Sequence, residues 1–335
     1  MTILEKINHY FFIHLISSIP FSPSLNFLFL PLMKNKKVIL EEQGLRDGFQ
    51  TISTFIPTEK KIEIIHQLLD AGLKRIQVAS FVHPKLVPQM ADAEAVIKAL
   101  PVREDVVFSG LVLNLKGVER AIPTGLKHLA ISISASNTHS LKNARKTIAE
   151  AQTEFKEMVA LAQANGMAVR GGIQCAFGCR YEGRISEKTI LQLVENHLVT
   201  GINEIALADS TGMADPLSIK RLMTKIMKMA GEIPVALHLH NTENKGLANV
   251  YAALEAGVRQ FDTAFGGLGG CPFIQSATGN IATEDTAHLL HQMGFETGID
   301  IGKVAAVSQD FQNFVGYELQ GQMYKLWQNK DIKIV

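Results

Sequence analysis

Eight short apolar runs alternate along the chain with longer segments in which apolar residues recur at helical spacing. The short runs are nearly continuous in their hydrophobicity, which is typical of strands buried on both faces of a parallel sheet. The predicted strands are residues 37–42, 74–79, 105–112, 127–133, 168–174, 203–208, 233–240 and 259–264. This alternation of short and long segments predicts an α/β fold built on parallel strands.

The longer segments carry the start and stop signals of helices. The first begins near Pro57 and Thr58, repeats apolar residues at helical spacing and closes at Gly72. Two further helices are predicted over residues 140–165 and 185–200, and each is followed directly by a glycine. The chain therefore predicts helices between its strands.

Eight strand–helix units over about 250 residues match the size of a (β/α)8 TIM barrel. A doubly wound sheet is the alternative, because periodicity alone does not show whether a sheet closes. No predicted strand is followed by a G-x-G-x-x-G turn that opens a helix, so the dinucleotide-binding form of that sheet has no support. After the eighth unit, residues 299–328 predict extra C-terminal helices packed on the barrel.

The N-terminal stretch differs in character from the rest of the chain. Serines and prolines interrupt its apolar residues, so it lacks the roughly 20 continuous apolar residues of a spanning helix. It also lacks the small-residue cleavage site of a signal peptide. We expect residues 1–35 to be a poorly ordered extension, with Met33 as the native start, and residues 36–335 to form the barrel domain. A native mass matching translation from Met1 would contradict this expectation.

Composition narrows the class of protein. The 335 residues are 47% hydrophobic with a net charge of +1, which is ample for a large core. The near-neutral charge offers no basic surface for nucleic acid. Three cysteines are too few for a disulfide framework, so we expect a cytoplasmic protein in a reducing environment. Neither nucleic acid nor a membrane is an expected partner.

Polar or ionisable side chains follow nearly every predicted strand. TIM-barrel enzymes place their chemistry at these C-terminal strand ends, whereas a purely structural barrel has no need of such residues there. The most informative of them are Glu42, Arg46, Asp47, Gln50, Ser80, Asn114, Asp209, His238, His240, Cys271 and Asn280. The sequence therefore predicts an active site at this end of the barrel.

His238 and His240 lie at the end of the seventh predicted strand, where strand alternation directs both imidazoles to one side. With Asp47 and Asn280 they form a mixed set of nitrogen and oxygen ligands without a thiolate. Such a set suits octahedral Mg2+ or Mn2+, and zinc is the competing ion because of the histidines. Arg46 beside Asp47 is a permanent cation suited to a carbonyl oxygen that becomes an enolate.

The glycine-rich residues 266–272 include Cys271 and Pro272. No Gly-Lys-Ser/Thr follows, so this is not a phosphate-binding loop. The segment is either a flexible connection or a mobile loop that brings the thiol over the pocket as a general acid. Cys175 and Cys179, four residues apart, are a weak metal signal, and we expect them to be reduced and structural.

Together these motifs resemble the 3-hydroxy-3-methylglutaryl-CoA (HMG-CoA) lyases, metal-dependent TIM-barrel enzymes. The resemblance covers about residues 38–298. The stretches that carry it are Arg46–Gln50, Ser80–Lys85, Asn114–Gly117, Tyr181–Gly183, His238–His240, Gly267–Pro272 and Gly279–Asp285. The last two are highly specific in sequence and spacing, whereas Arg-Asp-Gly alone is a weak signal.

The resemblance implies a retro-Claisen cleavage of an acyl-CoA that releases acetyl-CoA, catalysed by a homodimer. The implied metal ligands are Asp47, His238, His240 and Asn280. Arg46 would stabilise the enolate and Cys271 would protonate it, while Glu42 and Asp209 would support the ligands and proton transfers. The expected substrate-binding residues are Arg46, Gln50, Ser80 and Asn114.

Two positions depart from the pattern of the family. Gln77 stands where a Glu is usual, and Asn241 where an Asp is usual. Each change replaces a carboxylate by a neutral amide without removing an expected metal ligand. Citramalyl-CoA is therefore the natural competitor of HMG-CoA as substrate. Two further functions compete with a lyase: an acetyl-CoA-dependent synthase (an acyltransferase) of the same barrel group, and an inactive barrel that serves as a scaffold.

Overall fold

The computed structural model describes residues 36–270 and 279–327, and within them eight parallel strands form a closed barrel. Each strand pairs with the next, and the last pairs with the first. The strands are β1 (Ile39–Glu42), β2 (Arg75–Ser80), β3 (Val107–Val112), β4 (His128–Ser134), β5 (Ala168–Gln174), β6 (Glu204–Asp209), β7 (Val235–Leu239) and β8 (Gln260–Thr263). The predicted (β/α)8 barrel is confirmed, and closure through β1 and β8 rules out a doubly wound sheet.

Helices cover the outside of this barrel in the order the sequence predicts. Those in the described residues are α1 (Thr58–Asp70), α2 (Ala93–Lys98), α3 (Leu115–Ala121), α4 (Asn137–Ala144), α5 (Ile148–Ala164), α6 (Glu187–Leu198), α7 (Pro216–Ala230), α8 (Gly246–Glu255), α9 (Thr283–Gln292), α10 (Ile301–Val315) and α11 (Met323–Trp327). None of these helices has the length and hydropathy needed to span a lipid bilayer. The predicted extension, residues 1–35, and the predicted acid Cys271 lie outside the described residues.

The prediction of one helix over residues 140–165 is wrong, because this segment contains α4 and α5. Arg145 adopts a left-handed conformation, with φ of 56°, which ends the first helix. Thr147 then starts the second: its hydroxyl accepts from the Glu150 backbone N–H, and the Glu150 carboxylate accepts from the Thr147 backbone N–H. This reciprocal cap outweighs the continuous helical pattern of the apolar residues.

The predicted C-terminal helices are α10 and α11, separated at Gly316, where φ is 79°. Phe311 of α10 stacks on Phe49 of the segment after β1, with ring centroids 5.0 Å apart, and meets Phe265 edge-on at 5.4 Å. All three rings are fully buried. This aromatic contact holds the C-terminal helices against the barrel, as predicted.

The interior of the barrel toward the N-terminal ends of its strands contains buried charged side chains. The floor cluster consists of the buried Glu41, Arg170, Glu204 and Asp262 and the half-buried Arg75. Arg75 pairs with Glu41 and Glu204 at 2.8 Å, and Arg170 lies 2.8–3.1 Å from all three acids. The barrel is therefore closed below the site by ion pairs as well as by apolar packing.

Candidate active site

His238 and His240 project from β7 toward the same side of the barrel as Asp47. The Nε2 atoms of the two imidazoles lie 3.1 Å apart, and His240 Nε2 lies 3.6 Å from the nearer Asp47 carboxylate oxygen. One ligand atom from each residue falls within 4.8 Å of the others, and all three residues are buried. We call Asp47, His238 and His240 the metal-ligand cluster, because two imidazoles and a carboxylate, which are common ligands of divalent cations, converge here.

Asp262 orients the first of these histidines. Its Oδ2 lies 3.1 Å from His238 Nδ1, and since a carboxylate only accepts hydrogen bonds, Nδ1 carries the proton and Nε2 presents its lone pair to the cluster. Burial raises the pKa of Asp262, but Arg170 and His238 outweigh this and hold it below its usual value. The floor cluster thus supplies the group that sets the tautomer of a candidate metal ligand.

Asn280 lies beside the metal-ligand cluster. Its Nδ2 donates to Asp47 Oδ2 at 2.8 Å and to the Leu268 carbonyl at 2.9 Å, while its buried Oδ1 has no partner among the described residues. A 180° rotation of the Asn280 amide exchanges the positions of its oxygen and nitrogen. The oxygen would then lie beside Asp47, where the nitrogen lies now. Asn280 is thus close enough to be the fourth ligand, and its orphaned oxygen fits an oxygen-binding cation.

Arg46 lies in a π-helical turn, Gly44–Gly48, that directly follows β1. Such turns add one residue to a helical turn and recur at functional sites. Its guanidinium donates through Nε to Gln77, through Nη1 to Asp47 and through Nη2 to Gln43 Oε1, the last at 2.9 Å. Burial raises the pKa of Asp47, but Arg46 and His240 outweigh it and hold this pKa well below its usual range. Asp47 is therefore ionised and ready to bind a cation.

A cavity of about 750 Å3 opens above these groups at the C-terminal ends of the strands. Its lining brings together five of the predicted site residues, namely Arg46, Asp47, Gln50, His238 and His240. Gln50 Nε2 also donates to Asp47 Oδ1 at 2.9 Å. The cavity is large enough for a small acyl group and part of a larger carrier.

Glu42 and Asp209 do not line this cavity. Glu42 is fully buried and accepts from the N–H groups of Gly44 and Phe265 and from the Thr283 hydroxyl. Strand alternation explains its position, because the adjacent Glu41 faces the barrel interior and enters the floor cluster. Burial raises the pKa of Glu42 to about 7, despite these hydrogen bonds.

Asp209 at the end of β6 also points away from the cavity, whereas its neighbours Ala208 and Ser210 line it. Its carboxylate accepts from the backbone N–H groups of Met213 and Ala214 at 3.0 and 3.1 Å. Burial raises the pKa of this carboxyl to about 6. The geometry shows Asp209 shaping the loop after β6, and its catalytic role stays a prediction.

Ser80 and Asn114 are likewise absent from the cavity lining. The Ser80 hydroxyl donates weakly to the Leu111 carbonyl, at 3.4 Å, and Asn114 caps α3 by accepting from the Gly117 N–H at 2.9 Å. Both side chains stabilise the edges of the site, and their contact with substrate stays a prediction.

Sequence reasoning did not assign Asp262, Arg170 or Gln43 to the site, and it noted Gln77 only as a departure. Asp262 and Gln260 are alternate polar residues in a predicted buried strand, which was an available signal. Nothing local marks Gln43, because its contact with Arg46 depends on the π-helical turn. These four residues supply much of the hydrogen bonding that orients the predicted site.

A short C-terminal segment, residues 317–320, forms part of the cavity wall. It is held in place by the Gly321 N–H, which donates to the Gly266 carbonyl at 2.9 Å, and by Asp285, which accepts from the N–H groups of Gln322 and Met323. The site is therefore completed by residues far apart in sequence.

The family model described as HMGL-like matches residues 37–311, which include all of the barrel strands and the metal-ligand cluster. The chain belongs to the HMGL-like family. The resemblance drawn from the sequence motifs is confirmed, and the metal-ligand cluster is the candidate metal site of an HMGL-like barrel.

Named relatives of this HMGL-like chain are lyases. It is 38% identical to an (R)-citramalyl-CoA lyase of Chloroflexus aurantiacus, over 81% of the chain and 89% of that relative. It is 38% identical to a mitochondrial hydroxymethylglutaryl-CoA lyase of Bos taurus, over 80% of the chain and 83% of the relative. An HMG-CoA lyase structure from Acinetobacter baumannii, in complex with coenzyme A and 3-methylmalate, has a TM-score of 0.85 at 39% identity. That match covers 90% of this chain and 98% of the other.

Proposed function

We propose that the protein is a divalent-metal-dependent carbon–carbon lyase that cleaves HMG-CoA to acetyl-CoA and acetoacetate. The observation that carries this proposal is the buried metal-ligand cluster, which lines a 750 Å3 cavity beside Arg46. Relatives named as HMG-CoA lyases, at 34–38% identity over most of the chain, support the same reaction.

The proposed metal is Mg2+ or Mn2+, held by Asp47, His238, His240 and Asn280. The orphaned Asn280 oxygen supports this assignment. So do the two imidazole Nε2 atoms, which face each other at 3.1 Å beside the Asp47 carboxylate. Zinc is the alternative because of the two histidines. A bound divalent cation would polarise the substrate hydroxyl and make its proton easier to remove.

In the proposed reaction, a general base accepts the proton of the substrate hydroxyl as the bond between C2 and C3 breaks. The electron pair of that bond moves to C2 and the thioester carbonyl, which gives the enolate of acetyl-CoA, and C3 becomes a ketone. Arg46 stabilises the negative oxygen of this enolate, because its guanidinium lines the cavity and cannot lose its charge. Cys271 then donates a proton to C2.

The remaining predicted residues take supporting roles in this proposal. Glu42 and Asp209 hold the loops after β1, β6 and β8 through the hydrogen bonds described above. Gln50 orients Asp47 and faces the acyl group, while Ser80 and Asn114 contact the substrate nearer the rim. We also propose a cytoplasmic homodimer, for which sedimentation and cell fractionation are the tests.

A related acyl-CoA is the second candidate substrate. Citramalyl-CoA is favoured by the relative from Chloroflexus aurantiacus and by the neutral Gln77 in the cavity wall. An acetyl-CoA-dependent synthase would use the same enolate in the reverse direction, but the lyase names of the relatives favour cleavage.

The decisive experiment incubates purified protein and Mg2+ with HMG-CoA and citramalyl-CoA separately. We expect acetyl-CoA from HMG-CoA together with acetoacetate, whereas turnover of citramalyl-CoA would release pyruvate and identify the second candidate. Absence of cleavage of both thioesters, with metal bound, would overturn the proposed function. Cys271→Ala tests the acid: turnover should fall while metal content and fold stay unchanged.

A further inference from the structure

The side of the cavity formed by β4, β5 and β6 is lined by small side chains. Its inward-facing residues include Ala130, Ser132, Gly172, Ala206 and Ala208. Bulky branched side chains usually fill the interior of a TIM barrel. We call these five residues the recess, because the space that larger side chains would fill belongs here to the cavity.

Strand pairing places the centre of the recess on one level of the barrel. Ser132 of β4 pairs with Gly172 of β5, and Gly172 pairs with Ala206 of β6. Gly172 does not have a positive φ, so its backbone conformation does not require a glycine. A Cβ atom at this position would lie 2.1 Å from Ser132 Oγ, which therefore covers the glycine. Three adjacent strands thus contribute only three side-chain heavy atoms to this level.

The recess extends deeper into the barrel than the metal-ligand cluster. Ala208 pairs with His238, and Ala206 lies two residues before it on β6, about 7 Å further from the mouth. Ser132 projects into the barrel interior and is nevertheless only half-buried. Arg170 of the floor cluster also lines the cavity. The cavity thus continues below the metal-ligand cluster to the floor of the barrel.

The residues of the recess are uncharged. Arg170 beneath them lies 2.8–3.1 Å from three carboxylates of the floor cluster, so its positive charge is compensated within the protein. An ionised group placed in the recess would lose its hydration without gaining an unpaired partner of opposite charge. The recess therefore favours an uncharged substituent.

The proposed reaction determines which part of the acyl group faces the recess. The C3 hydroxyl lies at the metal-ligand cluster, and C2 lies toward Arg46 in the turn after β1. In a closed barrel of eight strands, β5 lies opposite β1. C3 is tetrahedral, so one of its two remaining substituents is directed across the barrel toward the recess.

We infer that the recess is a specificity pocket for an uncharged substituent on C3 that is larger than a methyl group. The inference rests on the proposed function for the reaction and for the position of C3. The substrate class is the 3-hydroxyacyl-CoA thioesters whose C3 carries an uncharged branch of three or more carbon atoms. HMG-CoA binds in the same way but leaves the recess unfilled.

Binding of free diacids tests the recess without any bond cleavage. Isothermal titration calorimetry with Mg2+ and coenzyme A present compares 3-hydroxy-3-methylglutarate with 3-hydroxy-3-propylglutarate, which differ by two methylene groups. Burial of both methylene groups predicts about tenfold tighter binding of the propyl acid. Equal or tighter binding of the methyl acid, or no binding of the propyl acid, would overturn the inference.

Ala206→Val fills the recess with two additional carbon atoms. Binding of the propyl acid should weaken about tenfold, while binding of the methyl acid stays within about threefold of the wild type. Gly172→Ala is a smaller second filling, which forces the Ser132 hydroxyl to move and should weaken the propyl acid less. Thermal unfolding shows whether each variant is folded under the binding conditions. Unchanged binding of the propyl acid by a folded Ala206→Val variant would contradict the inference.

Leu86→Phe is the control for added volume elsewhere in the cavity. Leu86 lines the cavity but is 72% exposed, away from the recess. This variant should bind both acids within about threefold of the wild type, and a loss equal to that of Ala206→Val would overturn the inference. Cleavage of HMG-CoA without a preference for the propyl acid would overturn the inference alone. Absence of cleavage would overturn the proposed function and leave the binding comparison readable.

Discussion

In the floor cluster each buried charge faces opposite charges, whereas around the cavity above it most buried charges face neutral hydrogen-bonding groups. Arg170 contacts three carboxylates. Arg46 contacts two amides and one carboxylate, and Glu42 contacts two backbone N–H groups and a hydroxyl. Most of these charges are buried at both levels of the same barrel, so the partners of each charge, rather than its burial, make the difference.

This difference separates a structural region from a chemical one. Charges that are balanced by opposite charges exert little net field on a ligand, although burial still raises the pKa of Glu204 within the floor cluster. A permanent cation that is held by neutral groups keeps its electric field. A buried carboxyl held by neutral groups changes protonation near neutral pH, as the raised pKa values of Glu42, about 7, and Asp209, about 6, indicate. The barrel therefore combines a rigid ionic base with an upper level whose charges remain available to a substrate.

Removing the central cation of the floor cluster should have the largest effect. Arg170→Met leaves three buried carboxylates with Arg75 as the remaining guanidinium of the cluster, so we expect a loss of about 3–5 kcal/mol in the free energy of unfolding. Urea unfolding at pH 7 measures it. Arg46→Met is the control. Its free energy of unfolding should fall clearly less, because the amides that now accept from Arg46, those of Gln43 and Gln77, can hydrogen-bond to water in the cavity instead. Equal losses would remove the distinction between the two levels.

Arg46→Met should instead have its main effect on the reaction. Loss of a positioned donor to a developing oxyanion typically lowers kcat by about 10²–10³, and Arg46 has no neighbouring guanidinium with spare charge to replace it. Acetyl-CoA release under saturating thioester measures this effect. Wild-type turnover in this variant would show that Arg46 does not stabilise the enolate.

The pH dependence of stability tests the neutral surroundings of Glu42. Burial raises its pKa from 4.5 to about 7 in the folded protein, so folding favours the protonated form. The contribution of Glu42 to the free energy of unfolding is fully present below pH 4.5 and is lost as the pH rises to about 7. The total loss is about 3 kcal/mol, because each pH unit between the two pKa values costs about 1.4 kcal/mol.

Glu42→Gln should remove most of that loss. The amide oxygen can still accept from the N–H groups of Gly44 and Phe265, and the amide nitrogen can donate to the Thr283 hydroxyl in place of the bond it accepted, but the side chain cannot ionise. Urea unfolding at pH 5 and pH 8 should therefore show a smaller decrease in stability for the variant than for the wild type. An identical decrease in both proteins would mean that Glu42 has an ordinary pKa.

The smallest expected effect concerns the link between the two levels. Asp262→Asn weakens the hydrogen bond that orients His238, and loss of such a partner typically lowers metal affinity about 10–100-fold. Mn2+ binding measured by electron paramagnetic resonance checks this. Glu204→Gln is the matched control, because it belongs to the same floor cluster without contacting His238 in the described hydrogen bonds. Equal weakening by both variants would assign the effect to the cluster as a whole.

The sequence alone was sufficient to predict the barrel, and three of its predicted metal ligands, Asp47, His238 and His240, lie together in the structure. Eight apolar runs with polar C-terminal ends predicted the strands to within about two residues, because strands buried on both faces require continuous hydrophobic stretches. Alternation along β7 placed the two imidazoles on one side. The sharp error was the single helix over residues 140–165, where a local cap overrides the apolar pattern.

What only the tertiary structure decided is which polar residues face the cavity. Glu41 and Glu42 are adjacent acids, and hydrophobic alternation cannot tell which of them points inward when both are polar. The contacts of Arg46 with Gln43 and Gln77 depend on a π-helical turn and on the packing of β2 beside it. Local residue patterns determine the strands and their ends, whereas the partners of each buried charge depend on contacts between distant segments that form only when the barrel closes.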